Sequence, residues 1–455
     1  MKIDFKHARG VFEDYLNGYD REDEKIKLKI IHTYGVVKSA REIGHRMHLN
    51  EEDQQLAELI ALLHDIGRFQ QLRLYNSFSP DTMDHAAFGV QLLFEGENPM
   101  ISRFIEDRSY DELIRVAIAR HSDFRLEGIQ DERTLFHAKM IRDADKLDNC
   151  RVKLVDSVEA MIGVPQEHAG EGKISPKVWE SCLKKEAVLS PDRVTSVDYW
   201  VSYVAQYYDL NFKETWQIMK ESAHSSVENP KHSIGGLIGG EAKLLSEHLS
   251  SGKSICKDPL SRAITYSMSI LETSASMGLI VAAPTAGSAG IVPGLLLALQ
   301  ETYDFSDNDI IRVLFNAGAV GCLAMRNATV AGAVGGCQAE VGVASAMAAS
   351  AAVELMQGTA RQCLDAASTV LMNMLGLVCD PVGGLVECPC QMRNASGVAN
   401  ALTAAEIVLS GVRQLIPFDE MLDAMYTAGK RLPAEYRETA LGGCAATSTG
   451  CSLCQ

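Results

Sequence analysis

Three cysteines have the surroundings expected of ligands to an inorganic cofactor. Cys337, Cys379 and Cys390 lie in the apolar, glycine- and proline-punctuated runs GGCQAEVG, LVCDPVGGL and VECPCQMRN, in a stretch of chain that contains no histidine. Thiolates are the usual ligands of iron–sulfur clusters, and three of them without a fourth fixed ligand leave one iron open to a substrate. An open iron acts as a Lewis acid. The alternative is that these thiols are buried small side chains without function, which is the interpretation favoured for Cys322, Cys363, Cys388 and Cys444.

A second set of candidate ligands lies in the N-terminal part of the chain. His32, the adjacent pair His64 and Asp65, and the segment Asp143-Ala144-Asp145 fall on three separate predicted helices. Imidazole and carboxylate groups suit a divalent ion such as Mn, Fe, Co, Ni or Zn, and a helical bundle can bring three helices around one ion. For any single histidine, an ordinary hydrogen-bonded role in the core or on the surface remains open.

The segments that carry these residues are predicted to be helices throughout. Runs such as QQLAELIALLHDIGRF and SRAITYSMSILETSASMG carry apolar residues at three- and four-residue spacing, and alternation with a period of two is scarce. Eight of the twelve histidines lie in the first 150 residues, whereas nine of the twelve cysteines lie between Cys322 and Cys454. We therefore predict an all-α protein with two helical domains, residues 1–212 and 213–455.

Charge and hydropathy argue against several classes of partner. The formal net charge of -16 disfavours nucleic acid and anionic membranes, which attract clustered Lys and Arg. The uncharged run 273–300 is long enough to span a bilayer, but Pro284, Pro293 and four glycines interrupt it, so we predict a broken helix instead. The first residues do not resemble a signal peptide, and we expect a cytoplasmic protein with reduced thiols.

The histidine-rich half resembles the HD-domain metal-dependent phosphohydrolases. The runs LLHDIGRFQ, DHAAFG, ARHSDF and DADKLDN carry the resemblance, which covers roughly residues 20–210. It implies that His32, His64, Asp65 and Asp145 bind a divalent metal and that His85 and His121 hold a second one. Such a metal would activate water for attack on a phosphoester. The sequence does not identify the nucleotide or phosphoester, and a nucleotide-sensing role or a structural metal site remains open.

The cysteine-rich half is similar to the alpha subunit of the bacterial iron–sulfur L-serine dehydratases. APTAGSAGIVPG, RNATVAGAVGGCQAEVGVASAMAA, NMLGLVCDPVGGLVECPC, RNASGVANAL and RETALGGCAAT carry this resemblance between residues 213 and 450. It implies a helical domain with a 4Fe-4S cluster on Cys337, Cys379 and Cys390, and an L-serine ammonia-lyase activity that yields pyruvate and ammonia. Elimination of the serine hydroxyl needs a Lewis acid on the oxygen and a base near the α-carbon.

Several polar residues are candidates for contact with serine. Thr285, Ser288 and the backbone amides of TAGSAG can present several N–H groups to a carboxylate, although an ordinary turn explains them equally well. Asn327 and Glu340 lie close in sequence to Cys337, where charges are sparse, and are either substrate contacts or internally bonded polar groups.

Two features depart from the serine dehydratase pattern. The beta region of that family, with a GKGHGT-like histidine and an SSHT segment, is not found here, so we expect the catalytic base on a separate beta subunit in an oligomer. The sequence also ends in ATSTGCSLCQ, in which Cys451 and Cys454 either cap the open iron or form a frayed, reactive tail. A regulatory protein that senses nucleotides and redox state, with one or both activities lost, is the alternative to the enzyme.

Overall fold

The computed structural model describes residues 3–78, 81–155, 164–165, 168, 172–278, 280 and 283–453. Helices dominate, and the described residues contain no β-strand beyond one isolated bridge between Cys379 and Arg437. The prediction of an all-α fold is confirmed. The chain divides into two compact units, Met1–Met219 and Lys220–Gln455.

The first unit is a bundle of helices around one apolar core. Asp23 and Asn50 begin two of the site-bearing helices, because their side chains accept hydrogen bonds from the first-turn amides at Lys25, Ile26 and Asp53. Phe12 and Phe69 are fully buried in the core. The helices are α1 (Phe5–Leu16), α2 (Glu24–Arg46), α3 (Glu51–Leu63), α4 (Ile66–Tyr75), α5 (His85–Phe94), α6 (Ile101–Phe104), α7 (Asp111–Arg120), α8 (Glu132–Val155), α9 (Pro176–Leu183), α10 (Ser196–Ala205) and α11 (Lys213–Glu228).

Two glycines allow the close approaches that assemble the histidine residues. A Cβ atom at Gly35 in α2 would lie 1.9 Å from Oδ1 of Asp148 in α8. A Cβ atom at Gly67 in α4 would lie 2.2 Å from the carbonyl oxygen of His85 and 2.8 Å from the amide nitrogen of Gly89, both in α5. Side chains at these two positions would push apart the helices that carry the candidate ligands.

Helix α11 lies across the division between the two units. The sequence prediction set the domain boundary at its first residue, whereas the compact units separate between Met219 and Lys220, within the helix. Ile218 packs against the core of the first unit, and Ala223 belongs to the core of the second. Thus α11 contributes one part of its length to each core.

The second unit is built around an alanine-rich central helix. Twelve of the thirteen residues of that helix, Val343–Leu355, are buried, because small side chains let neighbouring helices approach on every side. The helices are α12 (Glu241–Ser250), α13 (Leu260–Ala275), α14 (Ile291–Tyr303), α15 (Asp307–Asn327), α16 (Gly332–Gly335), α17 (Val343–Leu355), α18 (Ala360–Met374), α19 (Cys390–Leu409), α20 (Phe418–Arg431) and α21 (Ser448–Ser452). A π-helical turn, Gln338–Gly342, leads into α17.

The apolar run 273–300 is not one continuous helix. Helix α13 ends at Ala275, α14 begins at Ile291, and a 3₁₀ turn at Ala286–Ser288 lies between them. Among the described residues, only α15 has the length and composition of a membrane-spanning helix, with 39% of its most apolar window buried.

Candidate metal and cysteine sites

The structure brings His32, His64 and Asp65 together. One ligand atom from each of the three residues lies within 4.8 Å of the other two. His32 projects from α2, while His64 and Asp65 occupy the junction between α3 and α4. Nε2 of His32 is 3.9 Å from Oδ2 of Asp65, and Nε2 of His64 is 3.4 Å from the same oxygen. Asp145 of α8 completes the set, with Oδ1 2.9 Å from Nε2 of His32 and 3.9 Å from Nε2 of His64.

Hydrogen bonds at Nδ1 orient the imidazole rings of His32 and His64. Nδ1 of His32 is 2.8 Å from Oδ2 of Asp148, and Nδ1 of His64 is 2.8 Å from the carbonyl oxygen of Ala61. Both Nε2 atoms therefore face the space between the carboxylates. Nε2 of His64 is buried and has no hydrogen-bond partner in the described part of the chain, as expected for an atom that serves a metal.

A second triad shares Asp65 with the first. Nε2 of His85 lies 3.2 Å from Oδ1 of Asp65 and 3.2 Å from Nε2 of His121. Nδ1 of His121 is 2.7 Å from the carbonyl oxygen of Ile118, which orients that ring as well. The three residues are buried and satisfy the spacing of a metal site. One carboxylate with an oxygen toward each triad is suited to bridging two metal ions.

The charges of the site favour ligation at neutral pH. Burial opposes ionisation of Asp65, but nearby Lys29 and His64 outweigh it and hold the pKa of Asp65 well below its usual range. Asp145 behaves similarly, since hydrogen bonding to His32 lowers its pKa despite burial. Burial lowers the pKa of His85 to about 4, so its imidazole is neutral and has a free electron pair for a metal.

Three further residues at this site, Asp148, Lys29 and Arg68, were not singled out from the sequence. Asp148 lies three residues after Asp145 and therefore on the same face of α8, which is the one cue the sequence offers. Lys29 pairs with Asp65, and Arg68 brings its buried Nε to 3.7 Å from Oδ1 of Asp65. Two cations beside a metal site suit an anionic ligand.

The second unit brings Cys337 and Cys379 together with Glu340. One ligand atom from each lies within 4.8 Å of the others, and Sγ of Cys379 is 3.7 Å from Oε2 of Glu340. Cys337 immediately precedes the π-helical turn that carries Glu340. Gly332 makes room for the group, because a Cβ atom there would lie 3.0 Å from Sγ of Cys379 and 2.7 Å from Oε2 of Glu340.

Cys390 is the first residue of α19 and is buried near the other two thiols. The three cysteines are 1%, 3% and 6% exposed in chain order. Burial, with the neighbouring Cys337 and Glu340, raises the pKa of Cys390 to about 12. Hydrogen bonding with Cys379, helped by Arg393, lowers the pKa of Cys337, and the same bond and burial raise the pKa of Cys379. These are the directions expected of adjacent buried thiols that share protons.

The predicted serine contacts divide into two groups. Oγ1 of Thr285 is 3.1 Å from Oγ of Ser288, and a Cβ atom at Gly287 between them would lie 3.7 Å from Oε2 of Glu340, whose pKa burial raises. Thr285, Ser288 and Glu340 therefore lie beside the thiols. Asn327 is exposed at the end of α15, and no hydrogen bond or ion pair joins it to these side chains among the residues described.

Residues after α20 form part of the cysteine site. The amide of Cys379 donates to the carbonyl oxygen of Tyr436 at 2.9 Å, and the amide of Glu438 donates to the carbonyl oxygen of Cys379 at 2.8 Å. Arg437 lies between them, with its Nε buried and without a hydrogen-bond partner in this structure. Cys451 is exposed, and its Sγ is 3.5 Å from the carbonyl oxygen of Ala445. Cys454 lies outside the described residues.

The residues present fit the cofactors that the sequence implies. The paired thiols of Cys337 and Cys379, with Cys390 also buried, suit an iron–sulfur cluster, and the His/Asp set in the first unit is typical of a divalent metal. Arg393 is a further cysteine-site residue that the sequence did not single out. Nη1 of Arg393 lies 3.5 Å from Sγ of Cys337.

Comparison with known proteins gives a consistent match. A profile of the serine dehydratase alpha chain family matches residues 71–445. The probable L-serine dehydratase alpha chain of Bacillus subtilis is 50% identical over 218 residues, which are 48% of this chain and 73% of that relative. The L-serine dehydratase alpha chain of Peptoniphilus asaccharolyticus is 48% identical over 233 residues, 51% of this chain and 80% of the relative.

Longer relatives match over about half of their length. L-serine dehydratase 1 of Escherichia coli is 35% identical over 243 residues, which are 52% of this chain and 54% of that protein. An L-serine dehydratase of Helicobacter pylori is 36% identical over 251 residues, 54% of its length. These proteins contain a large further region that the matched part of this chain does not include.

Proposed function

The chain belongs to the serine dehydratase alpha chain family, and from that membership we propose that its second unit dehydrates and deaminates L-serine to pyruvate and ammonia. The observation that carries the proposal is the group formed by the buried thiols of Cys337 and Cys379 with Glu340, together with the burial of Cys390. Cys337, Cys379 and Cys390 would hold a 4Fe-4S cluster. When bound, a cluster with one iron not ligated by protein supplies Lewis acidity toward the serine hydroxyl group.

The side chains around the cysteines would bind and orient serine. Thr285, just before a 3₁₀ turn, and Ser288, at its end, would offer hydroxyl and backbone donors for the substrate carboxylate. The buried Nε of Arg437 offers a charged donor for the same group. Glu340 has a raised pKa and can hold a proton at its carboxyl group next to Cys379. Loss of water from serine gives 2-aminoacrylate, which tautomerises and takes up water to release pyruvate and ammonia.

We propose that the base that removes the α-proton comes from a separate beta subunit. The relatives from B. subtilis and P. asaccharolyticus are named alpha chains, and the longer dehydratases match over about half of their length. An enzyme assembled from two chains explains both observations. Strong serine turnover by this chain alone would contradict the need for a beta subunit.

Anaerobic purification with an activity assay tests the dehydratase function. We expect full-length protein to contain iron and sulfide and, with a candidate beta subunit, to form pyruvate from L-serine. Cys379→Ser should abolish both, while the matched control Cys363→Ser, a buried cysteine of α18, should leave both unchanged. Protein that binds a cluster but is inert with its beta partner would favour the regulatory alternative.

We also propose that a thiol of the C-terminal pair, Cys451 or Cys454, caps the open iron until serine displaces it. The support is that residues 436–438 bond to the backbone of Cys379 and the amide of Cys444 bonds to Asp380, so the segment that precedes Cys451 is attached next to a proposed cluster ligand. Removal of residues 450–455 should change the absorption of the reconstituted cluster and remove any lag in activation by serine. Unchanged spectra and kinetics would exclude capping.

For the first unit we propose a metal-dependent phosphohydrolase of the HD type. The observation that favours it is the pair of triads sharing Asp65, with Lys29 and Arg68 beside that carboxylate. His32, His64, Asp65 and Asp145 would hold one divalent ion, and His85 and His121 would contribute to a second. A metal at this site would activate water, and the two cations would neutralise the charge of a phosphoester or nucleotide.

Metal analysis and an activity screen test this second function. Full-length protein should take up Mn²⁺ and hydrolyse a nucleotide or a phosphodiester, and His64→Ala should lose both properties. His45→Ala is the matched control, since His45 is an exposed histidine on α2. Wild-type protein without metal uptake or turnover would exclude the hydrolase.

A further inference from the structure

Arg393 makes contacts at the cysteine site that none of the roles described so far explains. The residue lies one turn into α19 after Cys390, and its side chain is 15% exposed. Nη1 donates to Sγ of Cys337 at 3.5 Å and to the carbonyl oxygen of Val378 at 2.9 Å. Nη2 lies 2.6 Å from Oδ1 of Asp380. The guanidinium of Arg393 thus contacts the sulfur of Cys337, the carbonyl group of Val378 before Cys379 and the carboxylate of Asp380 after it.

Asp380 extends this connection to the C-terminal segment, which we define as residues 432–453. Oδ2 of Asp380 accepts a hydrogen bond of 2.6 Å from the amide of Cys444. The preceding residue, Gly443, has φ of +59°, and a Cβ atom there would lie 2.1 Å from the same carboxylate oxygen. Asp380 is 2% exposed, so its two oxygens are committed to Arg393 and the C-terminal segment.

The backbone of Cys379 supplies a second, parallel attachment. Its N–H and C=O groups bond to Tyr436 and Glu438 of the C-terminal segment. The C-terminal segment is therefore held by two sets of hydrogen bonds, one to the backbone of Cys379 and one to the side chain of Asp380. Arg393 is the residue that links the Asp380 attachment to the sulfur of Cys337.

We propose that Arg393 is a positioning residue that sets the charge environment of the Cys337 sulfur and, through Asp380, holds the C-terminal segment against the chain at Cys379. The proposal rests on the iron–sulfur site inferred above. Hydrogen bonds and positive charge near ligating sulfurs raise the reduction potential of a cluster and slow its loss. Arginine suits the position because its planar fork reaches three acceptors in different directions, which a lysine ammonium does not do.

The test compares Arg393→Gln, Arg393→Lys and Asp380→Asn with wild type in the full chain. Arg361→Gln is the matched control, because Arg361 also pairs with an aspartate in this unit but its side chain is 68% exposed. Iron, sulfide and the midpoint potential are measured after anaerobic reconstitution. Hydrogen exchange of residues 436–446 is measured separately in protein without a cluster, since the bonds to Asp380 and Cys379 exist within the polypeptide.

We expect Arg393→Gln to shift the midpoint potential to more negative values and to lose iron about 10-fold faster in air, by analogy with the loss of groups that support metal ligands. Asp380→Asn should increase exchange at Cys444 with a smaller effect on the potential. Arg393→Lys, which keeps the charge, should retain most of the potential but show faster exchange. Arg361→Gln should match wild type in every measurement.

The outcomes separate this proposal from the proposed function. Wild-type protein that takes up no iron or sulfide contradicts the iron–sulfur site, while the exchange measurement still tests the attachment of the C-terminal segment. Reconstituted Arg393→Gln with wild-type potential and exchange overturns the role of Arg393. If Arg393→Gln does not fold, as judged by circular dichroism, Arg393→Lys decides the question, and wild-type behaviour of that variant in exchange is the contradicting result.

Discussion

Asp148 is placed to support the proposed metal site without being one of its proposed ligands. Its Oδ2 lies 2.8 Å from Nδ1 of His32, and Gly35 leaves the space in which it approaches α2. This hydrogen bond fixes the tautomer that presents Nε2 of His32 to the other ligands. Burial and Lys29 act against a charged His32, but the hydrogen bonds that its ring donates to Asp145 and Asp148 outweigh them and raise its pKa.

Substitution of Asp148 tests this supporting role. We expect Asp148→Asn to weaken Mn²⁺ binding by about 10- to 100-fold, because an amide holds the His32 ring less firmly and makes it less basic. Titration of metal-free protein followed by isothermal calorimetry measures the change. His45→Ala should bind Mn²⁺ as wild type does, and equal affinity of Asp148→Asn and wild type would show that the contact is only structural.

We expect the carboxyl groups of Glu272 and Glu241 in the second unit to make stability depend on pH. Oε1 of Glu272 accepts hydrogen bonds from the amide of Ala242 at 2.9 Å and from Nε2 of Gln391 at 3.0 Å, and its neighbour is the carboxyl group of Glu241. Burial and then Glu241 raise the pKa of Glu272 to about 7, while hydrogen bonding lowers the pKa of Glu241. The two carboxyl groups therefore share one proton near neutrality.

The sign of the pH effect follows from the raised pKa. Between about pH 4.5 and 7 the folded protein keeps a proton that unfolded Glu272 has released, so the stabilisation present at low pH is lost as the pH rises. Glu272→Gln should remove this dependence. The free energy of unfolding of the variant, relative to that of wild type, should therefore rise by about 2 kcal/mol from pH 5 to pH 8. Apparent Tm values of the variant and of wild type at pH 5 and pH 8 measure this change, and Glu247→Gln, at an exposed position, is the control. Parallel pH profiles for Glu272→Gln and wild type would contradict it.

At the scale of elements, helix crossings at glycine decide which ligands meet. Gly67 lies two residues after Asp65, where α4 crosses α5, and His85 begins α5. The absence of a side chain at Gly67 lets α5 bring His85 to 3.2 Å from Asp65. The two triads share one carboxylate because of this crossing.

Alanine substitution at two glycines separates the effect of a close helix–helix crossing on stability from the effect of helix propensity. Gly67→Ala places a Cβ atom 2.2 Å from a backbone oxygen, so we expect a loss of about 1–3 kcal/mol and weaker metal binding through displacement of His85. Gly10→Ala, in α1 with no atom within 4 Å of the added group, should stabilise by about 0.5–1 kcal/mol. Denaturant unfolding measures both. Equal effects of the two substitutions would contradict the account.

Sequence periodicity was sufficient to predict helices, because amphipathic spacing and capping residues such as Asp23 and Asn50 act locally. It did not predict the contacts of Asp148, Arg393 or Asp380, because these depend on how distant helices cross. Arg393 and Cys337 are 56 residues apart, and His32 and Asp148 are 116 apart. Asn327 illustrates the converse, since it is near Cys337 in sequence but exposed at a helix end. The proposed roles of the site residues remain predictions until they are measured.

At the scale of the whole molecule, the two sets of candidate metal ligands occupy separate compact units. The His/Asp groups lie within Met1–Met219 and the cysteine group within Lys220–Gln455. Oxygen attacks an exposed iron of a cluster far more readily than it affects a Mn²⁺ or Zn²⁺ site with nitrogen and oxygen ligands. We expect exposure to air to abolish pyruvate formation while the divalent metal content stays unchanged. Simultaneous loss of both would show that the sites depend on each other.

The most direct measurement of the central claim is iron and acid-labile sulfide per chain in anaerobically reconstituted protein, compared among single cysteine variants. We predict about four irons and four sulfides in wild type and in the control Cys322→Ser, as for a 4Fe-4S cluster, and a severe loss in Cys337→Ser, Cys379→Ser and Cys390→Ser. Wild-type protein without iron and sulfide, or the three variants with undiminished content, would contradict the assignment of these cysteines as cluster ligands.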